Sequence, residues 1–344
     1  MYPIPIQIQD SWSALPKNLV TQKTFIVTDK NIADLYLPNI QTFFQNPPYF
    51  ILPPGETAKN LENTVNLIRA FQDAGLDRRS CIIALGGGVV SDITGFAASI
   101  YMRGIPYIIL PTTLLAMVDS SIGGKTGIDF AGTKNLVGAF HNPSLVYINT
   151  GVLDSLDNTE YISGLAEVIK YGIILDSNLF GYIDANRKEI AIKNPAAINK
   201  IIRDCTHLKS QVVAADEREA NLRQILNYGH TFGHAIESLG NFTLPHGHCV
   251  ALGMVCAAHF SYNMGGMSMF HVEHICELLQ YFGLPTRLPA NLHLTADDIY
   301  NMMLKDKKTK GGALTLIISH KIGTVEIINK ASKNQVMKAI GEIE

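Results

Sequence analysis

Short runs of β-branched and aromatic residues punctuate the first 150 or so positions: Phe25-Ile-Val-Thr28, Tyr49-Phe-Ile-Leu52, Cys81-Ile-Ile-Ala-Leu85, Tyr107-Ile-Ile-Leu110 and Leu145-Val-Tyr-Ile148. Helical stretches, among them Asn60 to Ala74 and Val89 to Met102, lie between them. Strand, helix, strand at this spacing predicts a mostly parallel sheet with helices on its faces, and such sheets bind ligands at the carboxyl ends of their strands. From about Asn158 the period changes to that of long helices. These are predicted from Glu160 to Tyr171, Ala197 to Ala214, Ala220 to Leu239, His248 to Asn263 and Val272 to Phe282. The chain closes on a hairpin, Leu314-Thr-Leu-Ile-Ile318 with Gly323-Thr-Val-Glu-Ile-Ile328, and a last helix. The expected organisation is an α/β domain over residues 1–150 and a mostly α-helical domain over 151–344.

Composition supports two globular domains, since 344 residues at 47% apolar content can supply a core for each. A net charge of -2 argues against nucleic acid or an anionic membrane as the main partner, because those need a basic field over much of one face. Any anion bound is therefore small. Met1-Tyr-Pro-Ile-Pro-Ile has neither the basic start nor the apolar run of a secretory signal, and nothing reaches the ~18 apolar residues of a membrane span. Five scattered cysteines without a CxxC read as reduced thiols in a cytoplasmic protein.

The densest chemistry lies in the helical half. Arg223-Gln-Ile-Leu-Asn227-Tyr-Gly-His230-Thr-Phe-Gly-His234-Ala-Ile-Glu237 is mostly apolar and small, and leads to Leu244-Pro245-His246-Gly247-His248. His230 and His234 are four apart, so a helix puts both on one face, and His246 opens the next apolar helix beside them. Such histidines either pack and hydrogen-bond in partly buried sites or converge on a metal. Catalytic zinc takes three ligands from His, Glu or Asp and keeps one position open. Upstream, Glu167 and Lys170 are three apart on a predicted amphipathic helix, which alone reads as a surface ion pair.

The sheet half offers a phosphate cradle. Gly86-Gly87-Gly88 ends the Cys81 strand and opens a helix through Val89, Val90, Ser91 and Asp92, where glycines let amides approach a pyrophosphate; the same three glycines could also make only a tight turn. Asp29, at the end of an earlier strand, offers a carboxylate for a ribose. Pro111-Thr112-Thr113 leads to Asp119-Ser-Ser-Ile-Gly123-Gly124-Lys125-Thr-Gly127. This is not a GxxxxGK[ST] loop, because Asp119 stands where its first glycine belongs. Lys125 either closes over a phosphate, with Lys134 and Asn135 joining it, or is a solvent lysine on a hairpin. Lys305-Asp306-Lys307-Lys308-Thr-Lys310 is a solvated loop or an anion lid.

Taken together these segments resemble 3-dehydroquinate synthase, the NAD-dependent cyclase family of the shikimate pathway. The match is carried by Gly86 to Asp92, Pro111 to Gly127, Ser163-Gly-Leu-Ala-Glu167-Val-Ile-Lys170, Ala215-Asp-Glu-Arg-Glu219 into Asn227 to Ala235, and Asp306-Lys307-Lys308, in the family's order. The resemblance implies a Rossmann-like nucleotide-binding domain followed by a helical metal and substrate domain. It implies that Glu167, His230 and His246 hold a divalent metal, zinc or cobalt. Asp29, Asn31, Glu56, Lys59, Gly86, Gly87, Gly88, Val89, Asp92, Thr112, Thr113 and Asp119 would surround NAD, with Lys125 and Lys134 beside it. Lys125, Asn135, Lys170, Lys209, Arg223, Asn227, His234 and Lys307 would meet the substrate's carboxylate, hydroxyls and phosphate, and Arg103 would reach that phosphate from the other subunit of a homodimer. His248 replaces a common glutamate and Thr315 a common basic residue; neither is a proposed ligand.

The implied reaction converts 3-deoxy-D-arabino-heptulosonate 7-phosphate to 3-dehydroquinate and phosphate by transient oxidation, β-elimination, reduction, ring opening and aldol closure. A polyol dehydrogenase of the glycerol dehydrogenase kind is the main alternative; it would accumulate NADH and have no use for so many cations. A sugar-phosphate cyclase with a substrate lacking a carboxylate, and a non-enzymatic metal-binding helical protein, are the others.

Overall fold

The computed structural model describes residues 4–16, 23–307, 314–329 and 331–344, the side chains of 306 and 307 excepted. The chain divides into two units, Met1–Leu156 with Lys209–Ala214, and Asp157–Leu208 with Ala215–Glu344. Among the described residues, no helix is long and apolar enough to cross a membrane.

In the first unit the chain runs β1 (Ile6–Gln9), β2 (Thr24–Asp29), α1 (Lys30–Phe43), β3 (Tyr49–Leu52), α2 (Leu61–Asp73), β4 (Cys81–Gly86), α3 (Gly88–Ile100) and β5 (Tyr107–Pro111). An antiparallel hairpin follows, β6 (Lys125–Phe130) and β7 (Thr133–Phe140), and then β8 (Leu145–Asn149). Six strands form one sheet in the order β1-β8-β5-β4-β2-β3, every pairing parallel. Strands β4, β5 and β8 are buried along their whole length, which is why they read as unbroken apolar runs and not as alternations. Ile26, Ile83, Leu85, Ile108, Leu110 and Tyr147 make one core with Leu37 and Ile40 of α1 and with Phe44 just after it. Each buried aliphatic side chain there contributes roughly 1.5–3 kcal/mol.

From β2 the chain steps outward to β3 and returns to β4 on the other side of β2. That reversal opens a crevice at the carboxyl ends of β2 and β4, the usual ligand position in such a sheet. Strand β1 lies outside the sequence expectation. Its Ile-Gln-Ile-Gln alternates half-buried and exposed positions, as an edge strand should, and Ile6 sits opposite Val146.

The second unit is built from α4 (Asn158–Ile174), α5 (Ser177–Ala185), α6 (Arg187–Ala191), α7 (Pro195–Ala215), α8 (His230–Leu239), α9 (His246–Asn263), α10 (Met269–Tyr281), α11 (Ala296–Lys307), the antiparallel pair β9 (Thr315–Lys321) and β10 (Thr324–Asn329), and α12 (Lys333–Gly341). The predicted hairpin and last helix are present. Three expectations need correction. The helix expected from Ala220 to Leu239 is broken: a short 3-10 turn, Leu222–Asn227, ends before Gly229, whose φ of +76° no continuing α-helix allows, and α8 starts only at His230. Helix α4 is not an amphipathic surface helix, for every residue from Ser163 to Ile174 is buried. The lysine run begins inside α11, and Lys308 and Lys310 lie outside the described residues.

Candidate functional site

Helices α4, α8 and α9 come together because small residues stand where they cross. A Cβ on Gly247 would lie 2.0 Å from the Ser163 carbonyl oxygen, and one on Gly253 would lie 1.9 Å from that of Gly229. Backbones this close admit only glycine. The Gly247 amide also donates to Ser163 Oγ at 2.9 Å, fixing the start of α9 on α4. These contacts bring Glu167 of α4, His230 at the first position of α8 and His246 at the first position of α9 to one point. Their ligand-type atoms all lie within 4.8 Å of one another.

Glu167 is fully buried, and neither of its oxygens makes a regular hydrogen bond among the described residues. They face charge instead: His230 Nε2 lies 3.2 Å and His246 Nε2 3.5 Å from Oε1, and the Lys170 ammonium closes on Oε2. Burial opposes the Glu167 charge, but Lys170 and then His230 outweigh it and hold the carboxyl well below the ordinary range. Burial, reinforced by Lys170, lowers His230. Burial disfavours the His246 imidazolium too, yet Glu167 and Glu237 raise its pKa to about 9. The cluster therefore draws positive charge to the face shared by two imidazole nitrogens and a carboxylate. Two nitrogens and one oxygen donor, with one position left for another ligand, suit a catalytic divalent ion such as zinc. The surface-pair reading of Glu167 and Lys170 is overturned, since both are buried.

His234 is exposed on the same face of α8, its ring centroid 5.2 Å from that of His230 and 6.0 Å from that of His246. Nearby in the sequence, a loop is pinned by Asp216, whose carboxylate accepts from the amides of Ala220, Asn221 and Arg223. Arg223 is buried and donates to the Glu217 carbonyl at 2.6 Å. Asn227 donates to Glu219 Oε1 at 2.8 Å. Asp216, Glu219 and Glu237 are polar residues of this region that the sequence reading did not single out; Asp216 and Glu219 lie inside the quoted Ala215 to Glu219 motif, and Glu237 ends the histidine stretch. Lys307 ends α11, and its side chain lies outside the described ones.

In the first unit, β2, β4 and β5 are neighbours, so the residues after them share one edge. Asp29 caps α1 by accepting from the Ile32 amide at 3.1 Å, and Asn31 is exposed in the first turn. Gly86 and Gly87 carry the chain from β4 into α3, whose N-terminus has no side-chain cap. A Cβ on Gly87 would lie 3.1 Å from the Thr113 methyl, and one on Gly88 3.1 Å from Ser120 Oγ. The Oγ atoms of Thr112 and Ser120 are buried and have no hydrogen-bond partner among the described residues. A glycine cradle at a helix start, uncapped and lined by unpaired hydroxyls, fits a pyrophosphate. Val89 continues the first turn.

Charged groups around that edge are paired. Lys59 donates to Asp92 Oδ2 at 2.6 Å and stands 3.9 Å from Glu56, which Lys134 approaches to 3.7 Å. Burial disfavours the Lys59 ammonium, but Asp92 and then Glu56 outweigh it and lift its pKa above the ordinary lysine value. Lys209, from α7, donates to both the carbonyl and the Oδ1 of Asp119 at 2.7 Å. Lys125 is exposed at the start of β6, on the hairpin the sequence led one to expect. Asn135 adopts φ +52° on β7 while its amide donates to Asp129. Arg103, also at positive φ, is exposed after α3.

Comparison with known proteins gives these features a context. A 2-epi-5-epi-valiolone synthase from Streptomyces hygroscopicus subsp. jinggangensis 5008, solved with NAD+ and Zn2+ bound, superposes with a TM-score of 0.92 at 25% identity, covering 100% of this chain and 97% of that one. A 2-deoxy-scyllo-inosose synthase complexed with carbaglucose-6-phosphate, NAD+ and Co2+ gives 0.87 at 27% identity, over 98% and 96% of the two chains. In sequence, the 3-dehydroquinate synthase of Thermoanaerobacter sp. (strain X514) is 42% identical over 329 residues, 94% of this chain and 91% of that protein. Family profiles for the N-terminal and C-terminal parts of 3-dehydroquinate synthase match residues 49–163 and 164–309. With both halves matched in order and full-length relatives at this identity, the chain belongs to the 3-dehydroquinate synthase family.

Proposed function

We propose that the chain converts 3-deoxy-D-arabino-heptulosonate 7-phosphate to 3-dehydroquinate and inorganic phosphate, with NAD reduced to NADH and reoxidised within each turnover. The observation that carries this reading is the buried Glu167 facing His230 and His246, with Lys170 against the same carboxylate. When bound, the ion held by Glu167, His230 and His246 would polarise the substrate's oxygens, and NAD would take up and return one hydride. The chain's own residues do the rest. His234, exposed beside the two ligand imidazoles, is placed to hold or pass a proton at a substrate oxygen. Lys125, Lys170, Lys209, Arg223 and Lys307 supply the positive charge that a carboxylate and a phosphate require. Asp29, Asn31, Glu56, Lys59, Asp92, Thr112, Thr113 and Asp119, with Gly86, Gly87, Gly88, Val89 and Lys134, line the nucleotide side, and Asn135 and Asn227 add neutral polar contacts.

A polyol dehydrogenase, whose substrate carries neither carboxylate nor phosphate, would have no use for so many cations. We further assign the chain to a homodimer in the cytoplasm, in which Arg103 serves the partner's site; the exposed Met102, Leu136 and Phe140 give the first unit apolar surface for such a contact.

Chelation tests the proposal. Phosphate release from the heptulosonate phosphate should stop when a strong chelator strips the protein and return with Zn2+ or Co2+, and His230→Ala should abolish it. Sustained turnover by metal-free protein would contradict the reading.

A further inference from the structure

Glu237 belongs to none of the roles assigned so far, yet it is 5% exposed and lies against His246. Its position follows from the helix: three residues after His234 and seven after His230, it repeats on the same face of α8 two turns on. His246 is thereby flanked at both ring nitrogens. Nε2 lies 3.5 Å from Glu167 Oε1, and Nδ1 lies 3.6 Å from Glu237 Oε2, within ion-pair reach and just beyond a hydrogen bond.

His230 shows the same arrangement with a neutral partner. Its Nδ1 is 3.1 Å from the Tyr228 carbonyl, which can only accept, so Nδ1 carries the proton and Nε2 turns its lone pair toward Glu167. A neutral imidazole has one donor and one acceptor nitrogen, and whatever holds the donor decides which nitrogen can ligate. We infer that Glu237 is the positioning residue for His246: it holds the Nδ1 proton and commits Nε2 to the metal, as the Tyr228 carbonyl does for His230. This rests on the reading of Glu167, His230 and His246 as the metal ligands. One rival use of the same carboxylate is on the page. His234, Glu237 and His246 also offer ligand atoms within 4.8 Å of one another, so Glu237 could take an ion directly.

The experiment uses the full-length chain stripped of metal, as wild type, Glu237→Gln and Glu237→Ala. Zn2+ affinity is measured by competition with a chromophoric chelator, ion stoichiometry by titration, and ligand geometry by the visible absorption of the Co2+ form. The inference predicts one ion per chain in all three. Zn2+ binding should weaken roughly 10-fold in Glu237→Gln, where the amide oxygen still accepts, and toward roughly 100-fold in Glu237→Ala. The Co2+ bands should shift in both, a change that a merely structural role would not produce. Wild-type affinity and spectrum in both variants overturn the inference, as does a second ion per chain that the variants lose. Should circular dichroism show a variant unfolded, Glu237→Asp replaces it: weakened binding supports the inference and wild-type binding overturns it. A wild-type chain that binds no ion overturns the metal-site reading itself, a result distinct from all of these.

Discussion

Glu167→Ala deprives the buried Lys170 ammonium of the carboxylate it closes on. Breaking a buried pair from one side typically costs about 3–5 kcal/mol, because the remaining charge stays desolvated. Denaturant unfolding of the metal-free variant should show a loss of that size; an unchanged midpoint would mean the pair is not what holds Lys170. Asp216 makes a prediction of opposite character. The Asn221 amide, followed by those of Arg223 and Ala220, holds its carboxyl below the ordinary aspartate value against slight desolvation. A folded pKa below the unfolded one means a stability contribution present above the unfolded value, ~3.9, and lost as pH falls through the folded value. Unfolding midpoints measured from pH 6 to pH 3 should therefore fall more steeply for wild type than for Asp216→Asn, and parallel curves would contradict the assignment.

At this scale the sequence is informative where partners are close along the chain. His230 and His234 are legible as a pair on one helix face, but spacing alone does not say that Glu167, some sixty residues earlier, selects His230 and His246 while His234 remains exposed. The pairing of Lys209 with Asp119 crosses 90 residues and leaves no local signal. Glu237 did leave one, since the heptad step from His230 is written in the helix, but a lone glutamate there reads equally as solvated.

Between elements, glycine decides whether α4, α8 and α9 can bring their ligands together. Gly247→Ala places a methyl 2.0 Å from the Ser163 carbonyl oxygen, a backbone atom that cannot turn away. The helices must separate, at a cost of roughly 1–3 kcal/mol or more, and Glu167 must part from His246. Both the melting temperature and the Zn2+ affinity should drop. Gly181 in α5 is the contrasting case, with open space around its Cβ position; Gly181→Ala should stabilise by about 0.5–1 kcal/mol and leave metal binding unchanged. Equal effects from the two substitutions would remove the crossing argument.

Periodicity gave the parallel strands and most helix positions, because burial on both sheet faces and on one helix stripe writes itself into the apolar pattern. The break before His230 was hidden: Gly229 is needed where the chain meets α9, a tertiary reason that no propensity records. Helix α4 carries few polar positions because it is buried all round, so its pattern was mistaken for that of a half-buried helix. The β1 strand, four residues with two glutamines, was too short and too polar to be seen without its partner β8.

Across the whole chain, a net charge of -2 coexists with buried Lys59, Lys170, Lys209 and Arg223. Each of the three lysines meets a carboxylate, Asp92, Glu167 or Asp119, and Arg223 meets the Glu217 carbonyl, so local pairing hides these buried cations in the total. The fold is shared with a 2-epi-5-epi-valiolone synthase and a 2-deoxy-scyllo-inosose synthase, and what separates the cyclase reading from the dehydrogenase reading is where the electrons end. One measurement decides this most directly: the protein is mixed with 3-deoxy-D-arabino-heptulosonate 7-phosphate, Zn2+ and excess NAD, and inorganic phosphate and NADH absorbance are followed together. The account predicts phosphate accumulating over many turnovers while NADH never exceeds the concentration of enzyme sites; NADH rising in step with turnover, or no phosphate at all, would contradict it.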